Sequence, residues 1–190
     1  MGKRVAVVTD KGIVASGLLD HALKSLEAAG CEAVLFDEVV ADPPEAIVLK
    51  AVAIAVEARV QGVVGFGGGS PMDVAKLVAL LALEKEELAG IYGVGNARGP
   101  RLPLILVPTT AGTGSEVTPI SIVTTPTTEK KGVVAPKLLP DWAVLDPELT
   151  LGLPPHVTAA TGIDAMVHAI EAFTSKNKKN PISDQLAKQA

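Results

Sequence analysis

The residues whose types and spacing most clearly indicate a binding function form a glycine-rich loop, Gly67-Gly68-Gly69-Ser70. The loop lies between an apolar run and the start of a helix. The spacing predicts Ser70 as the N-cap, Pro71 as the first helical residue and Asp73 as the acid of a capping box. Each glycine costs roughly 0.5–1 kcal/mol of backbone entropy relative to alanine, so three in succession need a reason. Free amides and the helix dipole bind phosphate at such a loop, whereas a turn that only packs strand against helix seldom uses three glycines. We therefore predict a phosphate-binding loop.

A second loop that could bind a ligand comprises residues 108–118 and is rich in hydroxyl side chains and glycines. Hydroxyls at the carboxyl end of a strand lie where open α/β sheets bind ligands. The side chains of Thr109, Thr110 and Thr113 can reach phosphate or carboxamide groups, and Gly112 and Gly114 allow close approach of the backbone. The alternative is a serine- and threonine-rich turn without a ligand.

Asp164 and His168 are four residues apart in a segment, residues 156–175, that has helical periodicity. They therefore project from one helix face, where a carboxylate and an imidazole can share one divalent cation. The alternative is an ordinary surface pair, and the residues alone favour it because two ligands are too few for a tight metal site. His21 and His156 have no such partner and are predicted to lie at the surface.

Asp37 ends a predicted strand, residues 33–36. A carboxylate at this place can accept hydrogen bonds from a ribose diol, or it can be an ordinary loop residue. The sequence around Asp37 does not choose between the two. If Asp37 does face a ribose, its charge repels a 2′-phosphate and favours NAD over NADP.

The elements that position these residues follow from the apolar pattern. Strands predicted at residues 5–8, 33–36, 63–66 and 102–107 alternate with helices at 14–29, 43–60 and 71–83. This alternation is typical of an α/β fold with a parallel sheet and a nucleotide-binding topology. A hairpin is predicted across residues 118–134, and a last strand at 143–145. Prolines and a change of pattern predict a domain boundary, with a dinucleotide-binding domain at 1–152 and the start of an all-α domain at 153–190.

Composition excludes several functional classes. The chain has 190 residues, 48% apolar and 20% charged, with a net charge of −4, so it is globular and not strongly basic. One Trp, one Tyr and three Phe provide no base-stacking platform, which argues against nucleic-acid binding. No apolar run is long enough to cross a membrane, and no signal peptide is recognisable. The single cysteine, Cys31, predicts a reducing, cytoplasmic location.

Four stretches, residues 67–76, 108–118, 146–150 and 162–172, together resemble the iron-containing (group III) alcohol dehydrogenases, in that family's order. The resemblance implies NAD(P)-dependent, metal-assisted interconversion of a small alcohol and its aldehyde, and the charge of Asp37 predicts NAD rather than NADP. It implies that the glycine loop, with Ser70 and Asp73, binds the diphosphate and that the threonine-rich loop lines the cofactor cleft. It further implies that Asp37 contacts ribose and Lys130 lies near the cofactor. Asp164 and His168 then supply two of four ligands to Fe²⁺, with Zn²⁺ as a substitute.

Members of that family continue through a helical domain that supplies two more histidine ligands. We therefore expect a fragment or a truncated form, with an uncovered apolar face that makes a homo-oligomer plausible. A nucleotide-binding module without catalysis remains an alternative. A relative with other chemistry, such as a glycerol dehydrogenase or a dehydroquinate synthase, is a further one, although residues 109–116 fit the alcohol dehydrogenases better.

Overall fold

The computed structural model describes residues 2–190, and a parallel sheet organises most of them. In chain order the elements are β1 (Arg4–Val8), α1 (Lys11–Ser16), α2 (Asp20–Ala28), β2 (Glu32–Phe36), α3 (Glu45–Glu57), β3 (Val63–Gly67), α4 (Gly69–Leu81), α5 (Leu88–Ile91), β4 (Gly93–Val94), β5 (Leu104–Pro108), β6 (Ile120–Thr124), β7 (Lys130–Val134), β8 (Trp142–Ala143), α6 (Pro155–Thr174) and α7 (Pro181–Gln189). Short 3₁₀ turns lie at Ser115–Val117, Pro136–Leu138 and Pro147–Thr150.

The central sheet has the order β2-β1-β3-β5-β8, and every neighbouring pair is parallel. Side chains of β1 alternate between its two faces, as a strand requires. Val5 and Val7 pack in the cluster with α1 and α2, while Ala6 and Val8 pack in the cluster with α3 and α4. Helices therefore cover both faces, which is why these strands are continuously apolar. The predicted α/β fold is confirmed.

The strand order places a topological switch point between β1 and β3. The chain leaves β1 toward β2 on one side and returns past β1 to β3 on the other. Connections diverge there, so a crevice opens at the carboxyl ends of these two strands, where open α/β sheets bind ligands. The glycine loop that follows β3 lies at this crevice.

Helix α4 packs unusually close to the sheet. A Cβ atom at Gly65 would lie 2.7 Å from both Ala75 Cβ and Leu106 Cδ2, so only glycine permits this approach. The predicted cap of this helix was wrong. Gly68 is the N-cap, Ser70 and Pro71 are already helical, and no side chain caps the helix.

Several helix and strand boundaries also differ from the predicted ones. One helix was predicted over residues 14–29, but the chain forms two, because Gly17 adopts a left-handed φ of 74° that ends α1. The helix predicted to reach residue 83 ends at Leu81, and β5 and β8 begin two residues later and one residue earlier than predicted. The sequence reading missed α5 and β4, which are only four and two residues long.

A second sheet, with the order β4-β7-β6, lies beyond α4. Strands β6 and β7 form the predicted antiparallel hairpin, with Ile122 opposite Gly132 in the register. Val123 and Val133 are buried, and an isolated bridge joins Thr124 to Pro44 before α3. The β6–β7 hairpin therefore lies beside the start of α4.

Helices α6 and α7 pack against each other but bury none of their residues fully. Their exposed apolar side chains include Ile163, Met166, Ile170, Ile182 and Leu186. Between residues 2 and 190, no helix has both the length and the hydropathy that a membrane crossing requires. The division into domains at residue 152 stays a prediction.

Candidate functional site

A cleft of about 680 Å³ lies at the switch point, and we call it the switch-point cleft. The ends of β1, β2 and β3 and the start of α4 form its walls. The predicted cofactor residues that line it come from three separate parts of the sequence: Asp37, Gly68, Gly69, Ser70, Thr109 and Thr110. The structure thus brings six of the predicted cofactor residues to one place.

The glycine loop presents backbone donors to this cleft. The first amide of α4 that bonds back along the chain is that of Met72, which donates to Gly68 O at 3.3 Å. The amides of Gly69 and Ser70 therefore precede the hydrogen-bonded part of the helix, where the dipole is positive. This arrangement favours an anion such as a diphosphate.

The three glycines differ in what they permit. Gly67 lies inside β3 with a φ of 145°, and its missing Cβ gives room to Pro71, whose Cγ would be 2.9 Å away. A Cβ at Gly68 would make only ordinary contact, at 3.5 Å, with Thr110. Packing alone therefore explains Gly67, which lines neither this cleft nor the next. Packing does not explain Gly68.

Buried hydroxyls without a partner cluster at the same edge of the sheet. Thr9 and Thr109 are 0% and 1% exposed, and their Oγ1 atoms, like that of Thr110, have no hydrogen-bond partner among residues 2–190. A buried hydroxyl left unpaired costs about 1–3 kcal/mol, and most buried polar groups find a partner. Thr109 and Thr110 line the cleft beside Gly68, so a polar ligand there can supply the missing bonds.

Two neighbouring carboxylates flank the switch-point cleft. Asp37 and Glu38 both line it. Glu38 is paired with Lys50, whose Nζ lies 2.6 Å from Glu38 Oε2. Asp10 also lines the cleft, but its carboxylate caps α1 by accepting the Ile13 amide at 3.0 Å. Asp37 is thus the one of these three acids whose carboxylate has no hydrogen-bond or ion-pair partner among residues 2–190, and its contact with a ribose stays a prediction. The sequence alone did not point to Asp10 or Glu38.

A second cleft, about 460 Å³, lies between the hairpin and α6, and we call it the hairpin cleft. It shares Gly69 and Ser70 with the switch-point cleft, so the two clefts meet at the start of α4. The predicted residues Asp73, Thr113, Lys130, Asp164 and His168 line it. An extended ligand can therefore pass from one cleft to the other over the glycine loop.

Lys130 is at the rim of the hairpin cleft, not in its interior. Its Nζ lies 2.7 Å from Asp42 Oδ1, and both side chains are more than half exposed. Asp42 has a positive φ of 50°, which is uncommon for a residue other than glycine. Lys130 is thus held beside the cleft by a carboxylate that the sequence reading did not single out.

Asp164 and His168 project from one face of α6, as the spacing predicted. His168 Nε2 lies 3.7 Å from Asp164 Oδ1, and both side chains are about half exposed. An oxygen and an imidazole nitrogen suit a divalent transition metal, but residues 2–190 contain no group of three or more His, Cys, Asp or Glu side chains that could hold one. The pair therefore fits as part of a site that needs further ligands.

Asp73 has a different partner set from the predicted capping box. Its carboxylate accepts bonds from Ser115 Oγ at 2.6 Å and from the Ile122 amide at 3.0 Å, and Lys76 Nζ lies 3.4 Å away. Lys76 is completely buried, yet the sequence reading did not select it. A lysine within the apolar stretch of α4 was the signal that could have pointed to it.

A third cavity, about 730 Å³, is an apolar groove between the threonine-rich loop, residues 145–150 and the facing sides of α6 and α7. Leu145, Ala169, Ala172 and Leu186 line it, with Thr110 and His168 among its few polar residues. It has no part of the glycine loop in its wall, and its few polar groups suit a dinucleotide poorly. The other two clefts fit the predicted cofactor better.

Comparison with known proteins agrees with this geometry. The family profile "Iron-containing alcohol dehydrogenase" matches residues 1–147, and the profile "Fe-containing alcohol dehydrogenase family, C-terminal" matches residues 158–190. A long-chain-alcohol dehydrogenase of Geobacillus thermodenitrificans is 45% identical over 188 residues, which are 97% of this chain and 47% of that protein.

Solved structures give the same result. An iron-containing alcohol dehydrogenase from Thermotoga maritima superposes with a TM-score of 0.91 at 42% identity, covering 99% of this chain and 52% of that one. A sulfoacetaldehyde reductase from Bifidobacterium kashiwanohense, crystallised in complex with NAD⁺, gives a TM-score of 0.88 at 36% identity, covering 98% and 49%. The chain spans about half the length of the relatives it matches. It belongs to the iron-containing alcohol dehydrogenase family.

Proposed function

We propose that this chain is the NAD-binding part of a metal-assisted alcohol dehydrogenase. The observation that carries the proposal is that the first amides of α4, which precede its hydrogen-bonded part, and unpartnered hydroxyls line the same cleft. Gly69 and Ser70 offer amides, and Thr109 and Thr110 offer hydroxyls, in one cleft. A diphosphate accepts hydrogen bonds from both kinds of donor.

The two clefts support one direction for the dinucleotide in this proposal. The adenosine ribose lies in the switch-point cleft, where Asp37 accepts bonds from its hydroxyls. The diphosphate crosses Gly69 and Ser70, which belong to both clefts. The nicotinamide half then enters the hairpin cleft, near Lys130 and within the walls that Asp164 and His168 help to form. The charge of Asp37 favours NAD over NADP.

Asp164 and His168 would hold a divalent cation, Fe²⁺ or in its place Zn²⁺, through one oxygen and one nitrogen. A cation bound there supplies Lewis acidity that lowers the pKa of an alcohol oxygen. The remaining ligands must come from outside residues 2–190, since these residues hold no larger ligand cluster. This chain's own contribution is to orient the cofactor and to place two ligands beside it.

Relatives support a small alcohol or aldehyde as substrate. The names of the matched proteins include a 4-hydroxybutyrate dehydrogenase of Cupriavidus necator and the sulfoacetaldehyde reductase. We extend this class of substrate, a small alcohol or aldehyde, to the enzyme that contains the present chain.

We also assign the enzyme to the cytoplasm, because a lone cysteine fits a reducing compartment. The exposed apolar side chains of α6 and α7 favour self-association.

A second candidate is a dinucleotide-binding module without turnover. The absence of any group of three potential metal ligands among residues 2–190 favours it. Such a module would bind NAD through the same two clefts, and no alcohol would react. The two candidates differ only in chemistry at Asp164 and His168.

The test is a titration of the purified chain with NAD, followed by an assay of alcohols with added Fe²⁺ on the complete protein that contains it. Saturable NAD binding supports the cofactor site, and its absence rules out both candidates. Turnover by the complete protein that depends on Fe²⁺ supports the dehydrogenase, whereas NAD binding without turnover in that protein supports the module. A Gly68→Val variant, whose side chain would fill the space beside Thr110, serves as the binding-negative control.

A further inference from the structure

Lys76 is the largest completely buried side chain of the described residues, and it carries a charge. Its Nζ donates to Ile120 O at 2.6 Å, to Ser115 Oγ at 2.8 Å and to Thr118 Oγ1 at 3.3 Å. Burying an ammonium group is costly unless it is paired and hydrogen-bonded. The lysine therefore ties α4 to the turn at 115–118 and to the beginning of β6.

Asp73 completes this cluster one helical turn earlier. Its Oδ1 accepts the Ser115 hydroxyl at 2.6 Å and lies 3.4 Å from Lys76 Nζ, while its Oδ2 accepts the Ile122 amide at 3.0 Å. Burial lowers the pKa of Lys76 below its ordinary 10.5, and Asp73 opposes that shift. Ser115 thus accepts from the lysine and donates to the aspartate.

The cluster reaches the cofactor loop through Ser115. The Ser115 amide donates to Thr113 Oγ1 at 3.3 Å. The Thr113 side chain in turn packs on Gly69, where a Cβ would lie 3.3 Å from Thr113 Cγ2. A continuous path of contacts therefore runs from Lys76 through Ser115 and Thr113 to the glycine loop.

We infer that Lys76 is a positioning residue for the nicotinamide half of the dinucleotide. It holds the turn at 113–118 against the glycine loop, so the hairpin cleft has its binding shape before the cofactor arrives. Lys76 itself is 0% exposed and lines neither cleft, so it touches no ligand. The inference rests on the proposed function, because it assigns the hairpin cleft to the nicotinamide end.

The competing explanation is that Lys76 only stabilises the fold. The two roles separate when binding of NAD is compared with binding of AMP. AMP reaches only the switch-point cleft, whereas NAD also occupies the hairpin cleft. Loss of positioning lowers the affinity for NAD alone, while a general loss of stability changes the two affinities alike or changes neither.

The first variant is Ser115→Ala, which interrupts the path at its centre; because Ser115 also lines the hairpin cleft, this variant tests the path and not Lys76 itself. We expect the dissociation constant for NAD to rise about tenfold, as the loss of one hydrogen bond to a charged group allows, and that for AMP to stay unchanged. Ser121→Ala is the matched control. The Ser121 hydroxyl is also buried and bonds to Asp73 O at 2.9 Å, but it makes no contact with the turn at 113–118.

The decisive variant is Lys76→Met, since Lys76 cannot touch the cofactor directly. It leaves Asp73 without its cation and can fail to fold, so Asp73→Asn is combined with it to remove the unpaired charge. Asp73→Asn alone is measured beside the double variant, because Asp73 itself lines the hairpin cleft. We expect the folded double variant, checked by urea unfolding, to bind NAD at least about tenfold more weakly than Asp73→Asn alone and to bind AMP equally well.

The outcomes distinguish the inference from the proposed function. NAD affinity in the folded double variant equal to that of Asp73→Asn alone, or an equal further loss for NAD and AMP, overturns the positioning role. If the unaltered chain binds neither NAD nor AMP, the proposed function itself is wrong, and the inference falls with it. Selective loss of NAD binding, with Ser121→Ala like the unaltered chain, supports both.

Discussion

Gly112 in the threonine-rich turn and Thr161 in α6 are in direct backbone contact, and a methyl group on Gly112 would overlap the Thr161 carbonyl group. Gly112 also has a φ of 150°, which side chains rarely adopt. Thr161 precedes Asp164 by nearly one helical turn. The contact therefore sets the position of the Asp164/His168 pair relative to the cofactor clefts.

Gly112→Ala should detach α6 from the threonine-rich turn. Overpacking of this kind costs about 1–3 kcal/mol, and the strained φ adds to it. We expect faster amide hydrogen exchange across residues 155–174, with the strands β1 and β3 unchanged. Gly162→Ala is the control, because Gly162 is helical with open space around it, so alanine should stabilise α6 by about 0.5–1 kcal/mol. Equal exchange in the two variants would contradict the contact.

Gly68→Ala separates a packing role of the glycine loop from a binding role. A Cβ there meets only ordinary contacts, so we expect the free energy of unfolding to change by less than about 1 kcal/mol. The same methyl group stands where the diphosphate approaches, and NAD affinity should fall about tenfold or more. Urea unfolding and an NAD titration measure the two effects. Unchanged NAD affinity would mean that Gly68 serves the turn alone.

Asp37→Asn should relax the preference for NAD. Removing the charge beside the ribose site lowers the repulsion of a 2′-phosphate, and we expect the ratio of NADP to NAD affinity to rise about tenfold. Glu38→Gln is the control, since Glu38 lines the same cleft but is already paired with Lys50. Titration of each variant with both dinucleotides tests this. An identical shift in the control would remove the special role of Asp37.

Local patterns predicted most of the sheet, because continuous apolar runs define buried strands. They failed where one residue's conformation decides the outcome, as at Gly17, whose left-handed φ divides the predicted first helix. They also failed where a partner is distant, as for Ser115, which lies 39 residues from Lys76. The candidate site residues were predicted from motifs, but only the fold shows that Gly69 joins two clefts and that Lys130 pairs with Asp42.

Arg101 makes a bidentate ion pair with Asp141, the residue before β8, and so holds β8 against the sheet. Its two terminal nitrogens lie 2.7 and 3.0 Å from the Asp141 carboxylate, which also accepts the Leu104 amide at 2.8 Å. The bond from Arg101 holds the pKa of Asp141 below its ordinary 3.8, and the bond from the Leu104 amide acts in the same direction. A carboxyl group whose pKa is lower in the folded state stabilises the fold at pH values above its unfolded-state pKa. This stabilisation is lost as the pH falls through the folded-state pKa.

Arg101→Met should therefore lower the free energy of unfolding by about 1 kcal/mol at neutral pH, since the Asp141 side chain is about half exposed. The difference from the unaltered chain should shrink below about pH 3.8, because protonated Asp141 no longer attracts the guanidinium. Urea unfolding at neutral and acid pH measures it. Arg98→Met, an exposed arginine in the same loop, is the control. A difference that does not depend on pH would show that packing, not charge, is responsible.

Asp164→Asn and His168→Ala separate chemistry from cofactor binding in the complete enzyme. Both side chains line the hairpin cleft and carry the only metal donors that we assign to this chain. Loss of either should reduce turnover by about a thousandfold, since a Lewis acid supplies several kcal/mol of stabilisation in the transition state. NAD affinity should stay within about twofold, because the amides and hydroxyls that bind the diphosphate lie on other elements. His156→Ala, in the first turn of the same helix, should leave both turnover and NAD affinity unchanged. Steady-state kinetics and NAD titration of the same preparations decide the matter: a parallel loss of both would mean that the pair maintains the cofactor cleft and does not hold the metal.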